Sequence, residues 1–152
     1  MTRRTAVWKS PALADTPRTY ASSVQERRLD GLRDTRPMSD WAERLTTIAL
    51  RWKSGGLSIH ALFTESAPPA DLGLDDVRAV VAQRLEAQPE LVPLWQTYSY
   101  DKRTTPSPYL DGLAAGFYDG DRSQVVRHAT EVEACADFIA RETRWVLHRR
   151  RV

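Results

Sequence analysis

The segment from Thr130 to His148 constrains the fold more than any other part of the chain. Thr130 and Glu133 stand at capping-box spacing, where each side chain satisfies a backbone N–H of the other at a helix start. Val132, Cys135, Phe138, Ile139, Trp145 and Val146 then fill one broad helical face, with Asp137, Arg141 and Arg144 opposite. A helix with so wide an apolar face is stable only when other elements cover it. The rest of the chain must supply that cover. At 152 residues and 41% hydrophobic content there is material for one domain with one core.

The upstream periodicity is helical. Ser39 or Asp40 can cap a helix whose Trp41, Leu45, Ile48 and Trp52 form a stripe, ended by Gly55-Gly56. A short helix over Leu57 to Glu65 turns Ile59, Leu62 and Phe63 inward before Pro68-Pro69 breaks the chain. A third helix runs from about Leu74 to Gln88 on the stripe Leu74, Val77, Val81 and Leu85, and Pro89 stops it. A fourth covers Glu90 to Tyr100 with Leu91, Leu94, Trp95 and Tyr98 inward. Pro93 is tolerated there because it falls near the first turn.

After a loop from Thr104 to Pro108 the period changes. Leu113, Ala115 and Phe117 alternate with Ala114, Gly116 and Tyr118, and Asp119-Gly120 signals a hairpin turn before a return strand at Gln124 to Arg127. A two-residue turn would pair Leu113 with Val126, and Gly112 and Gly116 would permit a bulge or close packing. The expected fold class is therefore α+β: a mainly helical single domain of about four helices, a β-hairpin and a long C-terminal helix over residues 38–152. Residues 1–37, interrupted by Pro11, Pro17 and Pro37, read as a basic tail with a weak helix at about Tyr20 to Asp34, and Met38 as a candidate translation start.

Charge is unevenly spread. Residues 1–38 hold eight Lys/Arg against four acids, and Arg149, Arg150 and Arg151 close the chain. The body between them, residues 39–148, has eleven Lys/Arg against sixteen Asp/Glu. An acidic body is a poor nucleic-acid binder, whereas the arginine-rich ends can grip phosphates without sequence choice. No apolar run is long enough for a membrane span, and the start lacks the apolar core of a signal peptide. Cys135 is the single cysteine, which excludes an internal disulfide; with the absent signal this favours the cytoplasm. No cofactor or metal is expected: His60, His128 and His148 lie at no metal-binding spacing, and neither Gly-x-Ser-x-Gly nor a phosphate-binding loop is present.

Glu142 is the most informative single residue. It falls in the middle of the apolar face of the last helix, as Arg84 falls within the arc of the third. A buried charge needs a partner. Arg84 and Glu142 form the candidate buried ion pair, with Arg127, Lys102 or a Tyr hydroxyl as further partners for Glu142. The aromatic and polar stretch after the fourth helix supplies candidate partner contacts: Tyr100, Asp101, Lys102, Arg103 and Tyr109. A helix-turn-helix reading meets an obstacle, because Asp71, Asp75 and Asp76 cluster at the start of the candidate recognition helix.

Three functions follow. The first is a non-enzymatic protein-binding module, an inhibitor or immunity-type protein, whose exposed aromatics would equally serve a homodimer. The second is a nucleic-acid-associated protein using its basic ends. The third is a small enzyme with Glu142, His128 or Asp101 as acid or base.

Overall fold

The computed structural model describes residues 40–102 and 104–149. The N-terminal tail with its weak helix, Met38, Arg103 and the final Arg150 and Arg151 lie outside the described residues. Six helices and a three-stranded antiparallel sheet make a mainly helical α+β domain: α1 (Asp40–Thr46), α2 (Ile48–Ser54), α3 (Ile59–Glu65), α4 (Leu74–Ala87), α5 (Leu91–Asp101), β1 (Ser107–Asp111), β2 (Ala114–Tyr118), β3 (Arg122–Arg127) and α6 (Glu131–His148). No helix among the described residues is long and apolar enough to cross a membrane.

α6 is the central element. Its start carries the capping box read from the sequence: Glu133 N donates to Thr130 Oγ1 at 3.2 Å, and Thr130 N to Glu133 Oε2 at 3.2 Å. α4 packs along one side of it, α3 and α5 add contacts, and β1 and β2 cover another side. Cover on several sides explains why residues 134–140 are buried without interruption, Asp137 included. The sequence places Asp137 opposite the apolar face; the structure buries it because two layers, not one, enclose the helix.

The stretch expected as one first helix is parted at Thr47 into α1 and α2. Thr46 Oγ1 donates back to Ala42 O (2.9 Å) and Thr47 Oγ1 to Glu43 O (2.9 Å), the back-bonding that bends helices. Backbone bonds from Thr47 to Glu43 and from Arg51 to Thr47 carry the direction through. The stripe survives: Trp41, Leu45 and Ile48 are buried and Trp52 is half-buried. Trp95 of α5 closes the core. It is fully buried, lies edge-on to Tyr98 and Phe138, and donates from Nε1 to Thr46 O at 2.8 Å.

The sheet runs in the order β1-β2-β3 and has one strand more than expected. β1 begins in the stretch read as a loop, at Ser107 and Pro108, and continues to Asp111 through a short run with no pattern of its own. Pairing with β2 and packing against α5 and α6 make it a strand: Leu110 N donates to Ser99 Oγ at 2.8 Å, and Leu110 joins the core. The hairpin register also differs. Tyr118 pairs with Arg122 around a three-residue turn with Gly120 at φ 78°, and a bulge opposite Gly116 adds one more residue, so Val126 faces Ala115 and not Leu113. Beyond the bulge the shift is two residues, so Val126 and Arg127 keep their faces; between the turn and the bulge it is one, which moves Arg122 and Ser123 to the opposite face from that expected.

Gly116 at the bulge is required by space. A Cβ there would meet Tyr109 Cε1 at 2.8 Å and Ser123 O at 2.9 Å, and the second is backbone that cannot step aside. Gly116→Ala is expected to lower stability by roughly 1–3 kcal/mol, the usual cost of overpacking. Urea denaturation measures it, and a variant as stable as the parent would refute the close approach.

Candidate functional site

Glu142 does not pair with Arg84. Arg84 on α4 reaches Glu43 of α1, with Nη2 3.3 Å from Oε1, because α1 packs against α4. Glu142 is buried and meets two of the other partners its position allowed. Lys102 Nζ, at the end of α5, donates to Oε2 at 2.6 Å, and Tyr98 Oη donates to Oε1 at 3.0 Å. Lys102 Nζ also lies 4.9 Å from the centroid of the Phe138 ring. Burial holds the Glu142 carboxyl above its ordinary value, against the opposing pull of Lys102 and of the hydrogen bonds. Burial likewise holds Lys102 below its ordinary value, against the pull of Glu142, and raises the Tyr98 hydroxyl. Desolvation thus outweighs attraction on both partners. Both its oxygens are engaged, and Glu142 lines none of four grooves on the surface of the described residues. It ties α5 to α6.

A second polar cluster centres on buried Asp137. His128 Nε2 and Arg141 Nε each lie 3.1 Å from Oδ2, and Arg78 Nη1 lies 3.6 Å from Oδ1. The cluster ties α4, the end of β3 and α6 together. His128 borders a groove with Arg78 and Arg127, but no Ser, Thr or Cys lines that groove to serve as nucleophile. Among the described residues no group of three or more His, Cys, Asp or Glu could hold a metal ion. Cys135 is fully buried, and burial pushes its thiol up, away from reactivity.

The candidate contact residues separate into two groups. Lys102 is buried and committed to Glu142, so it is no surface contact; its place at a helix end suggested exposure, but the helix end itself is packed on α6. Arg103 lies outside the described residues. Tyr100, Asp101 and Tyr109 do come together, in a groove between α5 and the sheet that Tyr118, Asp111 and Arg122 complete. Tyr100 is 89% exposed, and Tyr118 is 41% exposed. Arg122 links the floor: its guanidinium lies 5.0 Å over the Tyr109 ring and 2.9 Å from Asp111 Oδ2. The contribution of Tyr118 and Arg122 was missed because both belong to strands whose register decides where they lie. The turn signal at Asp119-Gly120 between them was the available clue.

Beside this groove β3 forms the open edge of the sheet. All six of its residues are exposed, among them Val125 at 48% and Val126 at 40%. No protein-family model matches the chain, and comparison with curated proteins and with solved structures found no match.

Proposed function

We propose that this chain is a non-enzymatic protein-binding module working in the cytoplasm, of the inhibitor or immunity type, and that it contacts its partner through the tyrosine groove. The observation that carries the proposal is Tyr100: a large aromatic ring left almost wholly exposed, beside Tyr118, Tyr109 and Arg122. Tyr and Arg are the residue types that dominate binding energy at interfaces, and a tyrosine ring offers much contact area for little lost rotamer freedom. The Arg122–Asp111 pair and the Tyr109 ring beneath the Arg122 guanidinium form the floor of the groove. The net negative body, eleven basic against sixteen acidic residues, suits a basic partner, whose approach it would speed.

The test is affinity capture from the native host after nuclease treatment, with the parent chain and a Tyr100→Ala variant side by side. The expected result is one stoichiometric protein that survives nuclease and is lost or strongly reduced with the variant. Capture that disappears with nuclease would shift the reading to nucleic acid held by the arginine-rich ends. Capture equal for both chains would remove the groove from the account.

A further inference from the structure

We propose that the outer face of α6 is a second binding site, distinct from the tyrosine groove, and that it takes an acidic amphipathic peptide segment of a partner protein. Arg144 and Arg149, both exposed, carry positive charge along a ridge at the end of α6, with exposed His148 one helical turn after Arg144. A trough runs on either side of that ridge. One lies between Leu147 and the Pro68–Leu74 segment; the other lies between Trp145 and the sheet at Pro108 and Phe117. The first trough is walled mainly by apolar side chains; the second sets Leu74, Pro108, Phe117 and Trp145 against a basic and polar wall, and no Asp or Glu lines either one.

The charge on this face is available. Arg144 has no acidic partner among the described residues, and Arg149 lies 4.6 Å over the Trp145 ring. Only Arg141, at the edge of the second trough, is committed, to Asp137. In a body of net negative charge this local cluster of cations over apolar walls complements one chemistry: apolar side chains for the troughs, with carboxylates over the ridge. The chain's own first 38 residues fit poorly, since eight Lys/Arg against four acids repel the ridge. A lipid surface fits poorly too. Trp145 and Leu147 are half-buried walls of a concave surface, whereas an interfacial helix presents apolar residues that stand proud.

The probe is a fluorescent 16-residue peptide with Leu and Phe at helical spacing and Glu between them, titrated into the full chain by anisotropy. A permuted peptide of the same composition, without the spacing, is the control. The expected result is saturable binding at least ten-fold tighter than the permuted peptide. It should weaken at least ten-fold in an Arg144→Glu variant of unchanged melting temperature, and stay unaltered in Tyr100→Ala. Absence of saturable binding would overturn the proposal, as would equal affinity for the two peptides or indifference to Arg144→Glu. Sedimentation with phosphatidylglycerol vesicles while neither peptide binds would overturn it in favour of a lipid surface.

Discussion

Lys102→Met is expected to lower the stability of the domain by about 3–5 kcal/mol at neutral pH, the usual cost of leaving half of a buried ion pair behind. The methylene stem of Lys102 is replaced almost in shape, so lost packing contributes little. What remains is the Glu142 carboxylate with only the Tyr98 hydroxyl for company. The pH dependence follows from the direction in which burial moves that carboxyl. Its folded-state pKa already stands above the ordinary 4.5, and loss of Lys102 removes the main opposing influence. A carboxyl raised in the folded state stabilises below its unfolded pKa, and that contribution is lost as pH rises through the folded value. The deficit of Lys102→Met should therefore be smallest near pH 4.5 and grow toward pH 8. In the double variant Lys102→Met/Glu142→Leu neither charge of this pair is left, so most of the deficit at pH 8 should be recovered, less about 1–3 kcal/mol for the buried Tyr98 hydroxyl that loses its acceptor. Urea denaturation of the three chains at pH 5 and pH 8 measures all of this. A single variant as stable as the parent at pH 8 would mean that the pair is solvated and that α5 is held by something else.

Trp95→Ala should cost a similar amount, about 3–5 kcal/mol, by opening a cavity where Phe63, Tyr98 and Phe138 meet. The Thr46 carbonyl loses the indole donor as well, at the point where α1 gives way to α2. Trp95→Phe separates the two effects, since it keeps most of the buried area and loses only the hydrogen bond and part of the ring. Its cost should be clearly smaller. Thermal denaturation followed by circular dichroism should show a drop of at least about 6 °C for the alanine variant, at roughly 2–8 °C per kcal/mol for a domain of this size. A drop of only a few degrees would mean that the core closes around the gap.

Features set by neighbouring residues were legible in the sequence. The capping box at Thr130 and Glu133, the stripe Val77, Val81 and Leu85, and the stops at Gly55-Gly56 and Pro89 each depend on spacing within one helix. Features set by packing between distant elements were not. Glu142 read as buried because its own helix says so, but its partner depends on how α5 crosses α6, which local spacing does not contain. Arg84 was drawn to Glu43 for the same reason. The strand β1 was concealed because Ser107–Asp111 carries no alternation of its own; pairing with β2 and cover from α5 and α6 make it a strand. Asp137 shows the limit of a helical wheel. The wheel gives one polar face, but a helix enclosed between α4 and a sheet buries part of that face and must furnish it with Arg78, His128 and Arg141.

Half of the candidate contact surface was likewise visible. Tyr100 and Asp101 were within reach because they close the last turn of α5, a place where side chains meet solvent, and Tyr109 because it lies a few residues beyond, in β1. Tyr118 and Arg122 required the three-residue turn and the bulge at Gly116, which together decide what stands beside Tyr109.

The most direct measurement is calorimetric titration of the captured partner into the parent chain and into a Tyr100→Ala/Tyr118→Ala variant. Both rings are exposed, so the variant should keep the parent's melting temperature. Truncating a hot-spot side chain costs about 2 kcal/mol or more, so the double variant should bind roughly a hundred-fold more weakly or worse. A variant that binds the partner with the parent's affinity would contradict the central claim that this groove is where the protein works.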